Sequence, residues 1–206
     1  MAINVYKHVD SASSGGGDGT TWATSGANAA YTAAEMETFL EGAIVAGDVI
    51  FVKDGTYTLG DEAWNSSARD ATAASPNAII GVKSSTTNTG SSVVYSDWSR
   101  LDADRPSFDC GTANIVLGDY MIVRNCKFNG ETDGVVSAGA SNTFENCYFD
   151  NDYGSNLGRR ALTLRGTGVA INCEFTSLSH PNSGCFFNCV RAEALSIYVN
   201  PLPFSA

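Results

Sequence analysis

The spacing of apolar residues along this chain changes once, near residue 48. Before it, Met36, Phe39, Leu40 and Ala43 recur at three- and four-residue intervals, which marks one buried face of a helix. Thr32-Ala33-Ala34-Glu35 opens that helix as a capping box, its hydroxyl and carboxylate placed to satisfy early backbone donors. Gly47 is the expected left-handed stop. Upstream, "SASSGGGDGTT" over 11–21 reads as a flexible polar loop, and no Gly-Lys-Ser/Thr follows to cradle a phosphate.

After residue 48 the chain becomes strand-like. "DVIFVKDGTYTL" predicts two short strands around Asp54-Gly55. "NAIIGVKS", "SSVVYSD" and "NIVLGDYMIVRNCKF" continue in β-branched and aromatic residues, cut by Gly, Asn, Asp and Ser. So do "GVVSAGASNTFENCYF" and "ALTLRGTGVAINCEF". Residues 60–75 and 84–91 read as polar turns or longer loops.

The later segments repeat. Asn125-Cys126-Lys127-Phe128, Asn146-Cys147-Tyr148-Phe149 and Asn172-Cys173-Glu174-Phe175 each follow a glycine, Gly118, Gly139 or Gly166, and a short strand. Cys126 and Cys147 are 21 residues apart, Cys147 and Cys173 are 26, and the surplus falls in the "NDYGSNLGRR" loop. A poorer fourth copy runs from Cys185 through "ALSIYVN". Such a period, with short strands and variable turns, predicts a solenoid in which neighbouring coils bury one another. A leucine-rich repeat is set aside, because fixed leucines and helical outer segments are missing.

Gly19, Thr20, Trp22 and Ala23, and later Gly47, Asp48, Ile50, Val52, Gly55, Thr56 and Tyr57, carry a family resemblance. Residues of about 15–180 resemble the pectate-lyase-like superfamily of right-handed parallel β-helix proteins. The resemblance implies an all-β fold, a right-handed single-stranded parallel β-helix with a short N-terminal capping α-helix. One domain over 1–206 is expected: an N-terminal segment and polar loop at 1–31, the capping helix at 32–47, β-coils over 48–200 and a tail at 201–206. That scaffold carries enzymes, adhesins and viral spikes alike, so it specifies fold far better than function.

In such a stack, equivalent positions lie about 4.8 Å apart. Asn125, Asn146 and Asn172 are expected to form one row, Cys126, Cys147 and Cys173 a second, and Phe128, Phe149 and Phe175 a third. Residues two apart on a strand share a face, so Cys follows Phe into the core and Asn takes the bend. A metal-binding reading of the thiols is weak: Cys185 and Cys189 are the only close pair, and His8 and His180 the only histidines.

Lyases of the resembling superfamily hold Ca²⁺ with acidic residues and use an Arg or Lys base. The residues that fit are Asp150, Asp152, Arg159 and Arg160 in the longest inter-coil loop, with Lys127 and Asp133 nearby; Ca²⁺ is the one ion they imply. The bland reading of the same residues, turn formers and solvated ion pairs, is preferred. A glycosidase reading would draw on Asp102, Asp104 and Asp109, in a stretch that looks like a turn bent at Pro106. A Ser–His–Asp triad would need His8 or His180, both in loop-like contexts without a nucleophile elbow.

Composition narrows the partners. A chain of 206 residues, 43% hydrophobic and 17% charged, can bury a core without disulfides. A net charge of −10 argues against a nucleic-acid surface, which needs clustered Lys and Arg. Apolar runs fall far short of the about 20 residues that span a membrane. No signal peptide is visible, so the six cysteines are expected to be reduced.

The expected function is a non-enzymatic structural protein of a virion, a phage capsid-decorating or tail-associated subunit. It would work as a homo-oligomer, a trimer fitting this class, beside other virion proteins. Pro201, Pro203 and Phe204, an apolar tail at an uncapped end, are the expected assembly contact. The alternative is a lyase-like carbohydrate-active enzyme, or a polysaccharide-binding module, on a phage spike, secreted, or at a bacterial cell surface.

Overall fold

The computed structural model describes residues 4–59, 70–99, 101–111, 115–130, 136–151, 160–165, 167–176, 186–190 and 197–198. Among the described residues the chain is all-β, built of parallel sheets with one short α-helix. In chain order the strands begin β1 (Tyr6–Val9), β2 (Val49–Lys53), β3 (Thr56–Thr58), β4 (Asn77–Val82), β5 (Ser107–Asp109), β6 (Ile115–Val116), β7 (Met121–Arg124) and β8 (Lys127–Gly130). They continue as β9 (Val136–Ala140), β10 (Thr143–Glu145), β11 (Tyr148–Asn151), β12 (Arg160–Arg165), β13 (Val169–Ile171), β14 (Cys173–Thr176), β15 (Phe186–Val190) and β16 (Ile197–Tyr198).

Three open sheets result. Sheet I runs β1-β2-β4-β7-β10-β13, sheet II β3-β5-β8-β11-β14-β16 and sheet III β6-β9-β12-β15. Every strand pair within them is parallel. From β4 onward the chain visits sheets I, II and III in turn, four times over, before β16 joins sheet II.

Alternation along the strands builds the core. The inward row of sheet I, Ile50, Ile79, Val123, Phe144 and Ala170, is in register and buried throughout. Leu162 and Leu164 of sheet III pack into the same cluster, as do the aromatics of sheet II. On the outward face of sheet I a second cluster holds Val49, Phe51, Ala78, Ile80 and Val82. It is roofed by Trp22 from residues 11–31 and by Val93 and Trp98 from the connection after β4.

The helix α1 (Ala33–Thr38) carries the capping box read from the sequence: Glu35 N–H donates to Thr32 Oγ1 at 3.3 Å and Thr32 N–H to Glu35 Oε2 at 2.8 Å. It is shorter than the expected 32–47. A π turn over Phe39–Ala43 follows, and Ile44 is already extended. Widening the last turn brings Phe39 and Leu40 into the core cluster beside Met36. Gly47 does have left-handed backbone (φ 94°), but it serves the turn into β2 and does not end the helix. Tyr31 bridges to Val9 beside β1, the edge strand of sheet I, so the helix begins at that end of the sheet.

Residues 11–21 are held more closely than a flexible loop would be. Ser14, Asp18, Gly19 and Thr21 donate N–H groups to the carbonyls of Thr24, Ala27, Ala29 and Asn28. Gly16 N–H also reaches Glu35 Oε1 at 2.6 Å.

Candidate functional site

The repeated Asn-Cys-x-Phe stretches lie where the chain leaves sheet I for sheet II. Asn125, Asn146 and Asn172 each take left-handed backbone, with φ of 56°, 55° and 51°. Asparagine tolerates that region better than most residues, because its short polar side chain bonds locally. The bend turns the chain sharply and frees the side chains to run along the stack. Asn146 Nδ2 donates to Asn125 Oδ1 at 2.7 Å, and Arg105 Nη2 donates to Asn146 Oδ1 at 2.7 Å.

One residue on, the thiols point inward. Cys126 and Cys147 are fully buried and Cys173 nearly so. Each S–H donates to the carbonyl two residues before it: Arg124 at 3.2 Å, Glu145 at 3.5 Å and Ile171 at 3.5 Å. Burial pushes the Cys126 thiol up to about 12 and the Cys147 thiol well above the ordinary value. A thiolate is the reactive form, so Cys126 and Cys147 are poor nucleophiles and poor metal ligands. Cys173 is moved the other way, below its ordinary value, by its hydrogen bond with Cys147, and burial alone shields it. Cys110, absent from the repeat, is also buried, and burial raises it to about 12.

The aromatic row is longer than the sequence predicted. Phe128, Phe149 and Phe175 stack with centroids 5.4 and 5.2 Å apart. Phe108 stacks on Phe128 at 5.3 Å, and Tyr57 packs on Phe108 at 5.5 Å. Five rings therefore run through the core in strand register. Tyr57 adds a polar end, its hydroxyl donating to Lys53 O at 2.8 Å and accepting from Ser11 N–H at 3.2 Å.

The residues proposed for catalysis are not brought together among the described residues. Asp150 is not a loop residue: it lies on β11 with 9% of its surface exposed, in register with Asn129. Asp109 continues that row one strand further, exposed, on β5 and not in a turn. Arg160 opens β12, but its side chain lies outside the described residues, as do those of Asp102 and Cys189. Asp133, Asp152, Arg159, His180, Cys185, Pro201, Pro203 and Phe204 lie outside them altogether.

Asp104 instead lies near Asp54. Burial and then the Asp104 charge raise the Asp54 carboxyl, while Lys127 pulls it partly back. Strand periodicity gave no hint of this pair, since Asp54 and Asp104 sit in separate turns.

His8 also differs from expectation. It lies on β1, not in a loop, and is buried. Nδ1 lies 2.9 Å from Gly19 O and Nε2 accepts Gly90 N–H at 3.1 Å, so both ring nitrogens are engaged by backbone. Only a neutral ring with its proton on Nδ1 satisfies both bonds.

Among the described residues no group of three or more His, Cys, Asp or Glu side chains could hold a metal ion. Among them, too, no helix is long and apolar enough to cross a membrane. Comparisons with protein-family models, curated proteins and solved structures find no match to this chain.

Proposed function

We propose that the three sheets are the faces of a right-handed single-stranded parallel β-helix of the pectate-lyase-like kind. The chain's recurring passage through sheets I, II and III supports that reading, as does the unbroken ring row from Tyr57 to Phe175. The protein then serves as a non-enzymatic structural subunit of a virion, decorating a phage capsid or associated with a tail. It acts there as a homo-oligomer, of which a trimer is the simplest form, beside other virion proteins.

One observation carries the structural role: side chains that could do chemistry hold the scaffold instead. The thiols donate to the carbonyls two residues before them, the Asn146 amide bonds to Asn125 along the stack, and both His8 nitrogens bind backbone. The test combines light scattering of the purified chain with depolymerase assays on acidic polysaccharides, with and without Ca²⁺. The proposal expects a defined oligomer and no cleavage. A monomer that cleaves, with activity lost in Asp150→Ala, overturns it.

A second reading, a carbohydrate-active protein, is favoured by the outward face of sheet II. There exposed Asp109 and half-buried Asn129 stand side by side on adjacent strands, in register with the buried Asp150, the kind of polar strip a sugar chain can follow. The same assay separates the two.

A further inference from the structure

Two segments cover the apolar outward face of sheet I, and His8 bonds to both. Residues 11–31 bring Gly19 O to Nδ1 at 2.9 Å, and residues 83–99 bring Gly90 N–H to Nε2 at 3.1 Å. Trp22 packs edge-on against the His8 ring with centroids 4.6 Å apart, and its Nε1 donates to Asn88 O at 2.6 Å. Beneath them lie Phe51, Ile80 and Val82. Along the described part of the outward face, apolar residues give way to the Arg124–Glu145 ion pair (2.7 Å) on β7 and β10.

We propose that His8 is an acid-released clasp: its neutral ring ties residues 11–31 to residues 83–99, and protonation at Nε2 releases Gly90 from it.

Nε2 is an acceptor only while it lacks a proton. A proton taken from solvent makes it a donor facing the Gly90 N–H, and that bond is lost. The charged groups around the ring do not offset this. Lys7 on β1 and Lys53 on β2 both oppose a second positive charge. Asp10 is turned to Lys53 at 3.0 Å. In the first segment Asp18 accepts from the Thr20 hydroxyl at 2.6 Å, and in the second Asp97 accepts from Asn88 and Val94 at 2.9 Å each. Burial, chiefly, moves His8 below its ordinary 6.5, with Gly19 O pulling the other way and the lysines adding to burial.

The sign follows. A base depressed in the closed state leaves closure intact above pH 6.5 and weakens it as pH falls through the window below. Hydrogen exchange at the Gly90 amide, corrected for intrinsic pH dependence, reads this directly in wild type and in His8→Gln. Expected is a loss of protection of up to about tenfold per pH unit just below 6.5, and none in the variant. Unchanged protection in wild type, or the same loss in His8→Gln, overturns the proposal. Should the variant not fold, the wild-type ring is followed by NMR, with His180→Gln to assign it. Ring and Gly90 amide titrating together below 6.5 supports the clasp; a ring titrating at 6.5 while Gly90 stays unmoved contradicts it.

Discussion

Asn146 donates its side-chain amide to Asn125 Oδ1 at 2.7 Å, and both residues hold left-handed backbone. The two properties are separable by mutation. Asn146→Gly keeps the bend and loses the side chain, and should cost about 1–2 kcal/mol for the broken hydrogen bonds. Asn146→Ala loses both and should cost about 2–4 kcal/mol, the increment being the left-handed penalty of a Cβ. Urea unfolding of the pair tests this: equal costs would mean that the bend needs no special residue.

Phe128 sits mid-row, with Phe108 at 5.3 Å and Phe149 at 5.4 Å. Truncation to Ala opens a cavity bounded on both sides by rings and should cost about 3–5 kcal/mol. Phe128→Leu, which keeps most of the volume, should cost under about 2 kcal/mol. Denaturant midpoints give both numbers, and a near-neutral Phe128→Ala would deny that the row is continuous.

Gly81 occupies the sheet I register beside the bend. A Cβ there would lie 2.1 Å from Asn125 O and 2.7 Å from Pro106 Cδ, so a backbone would have to move. Gly81→Ala should destabilise by about 1–3 kcal/mol or fail to fold. Gly42→Ala, where a Cβ meets nothing within 4 Å, is the control and should be close to neutral or mildly stabilising.

Glu35 supplies an acid-dependent share of stability. Burial acts to raise its carboxyl, but N–H groups of Thr32 and Gly16 and the Thr32 hydroxyl outweigh it and hold the group below 4.5. An acid depressed on folding stabilises fully above its unfolded value, and that share is lost as pH falls through the folded one. Thermal unfolding followed below about pH 5 should fall more steeply in wild type than in Glu35→Gln. Parallel curves would remove Glu35 from the account.

The sequence and the fold agree best where one residue type recurs at one site. Three Asn-Cys-x-Phe copies made the register legible because asparagine, a small thiol and a ring each suit one place in the turn and strand. The Cys-x-Phe pattern does not place Tyr57 and Phe108 in the ring row, because the residues two before them are Gly55 and Pro106, not cysteine. Only the strand register shows that their rings share it. His8 read as a loop residue because β1 lies far in sequence from β2, and only their parallel pairing reveals it as a strand. Asp150 looked like a turn former in a polar run; its burial depends on packing that local composition does not encode. The helix ended early because tertiary packing of Phe39 and Leu40 favoured a wider turn over continued α geometry.

The central claim is that the repeated cysteines set the architecture and do no chemistry. Alkylation of native protein near pH 8, mapped by mass spectrometry against a denatured sample, tests it most directly. Cys126, Cys147 and Cys173 should stay unmodified when folded and react fully once unfolded: burial shuts all three off from solvent and also keeps the proton on Cys126 and Cys147. Native labelling of Cys126 or Cys147 at the denatured rate would contradict it.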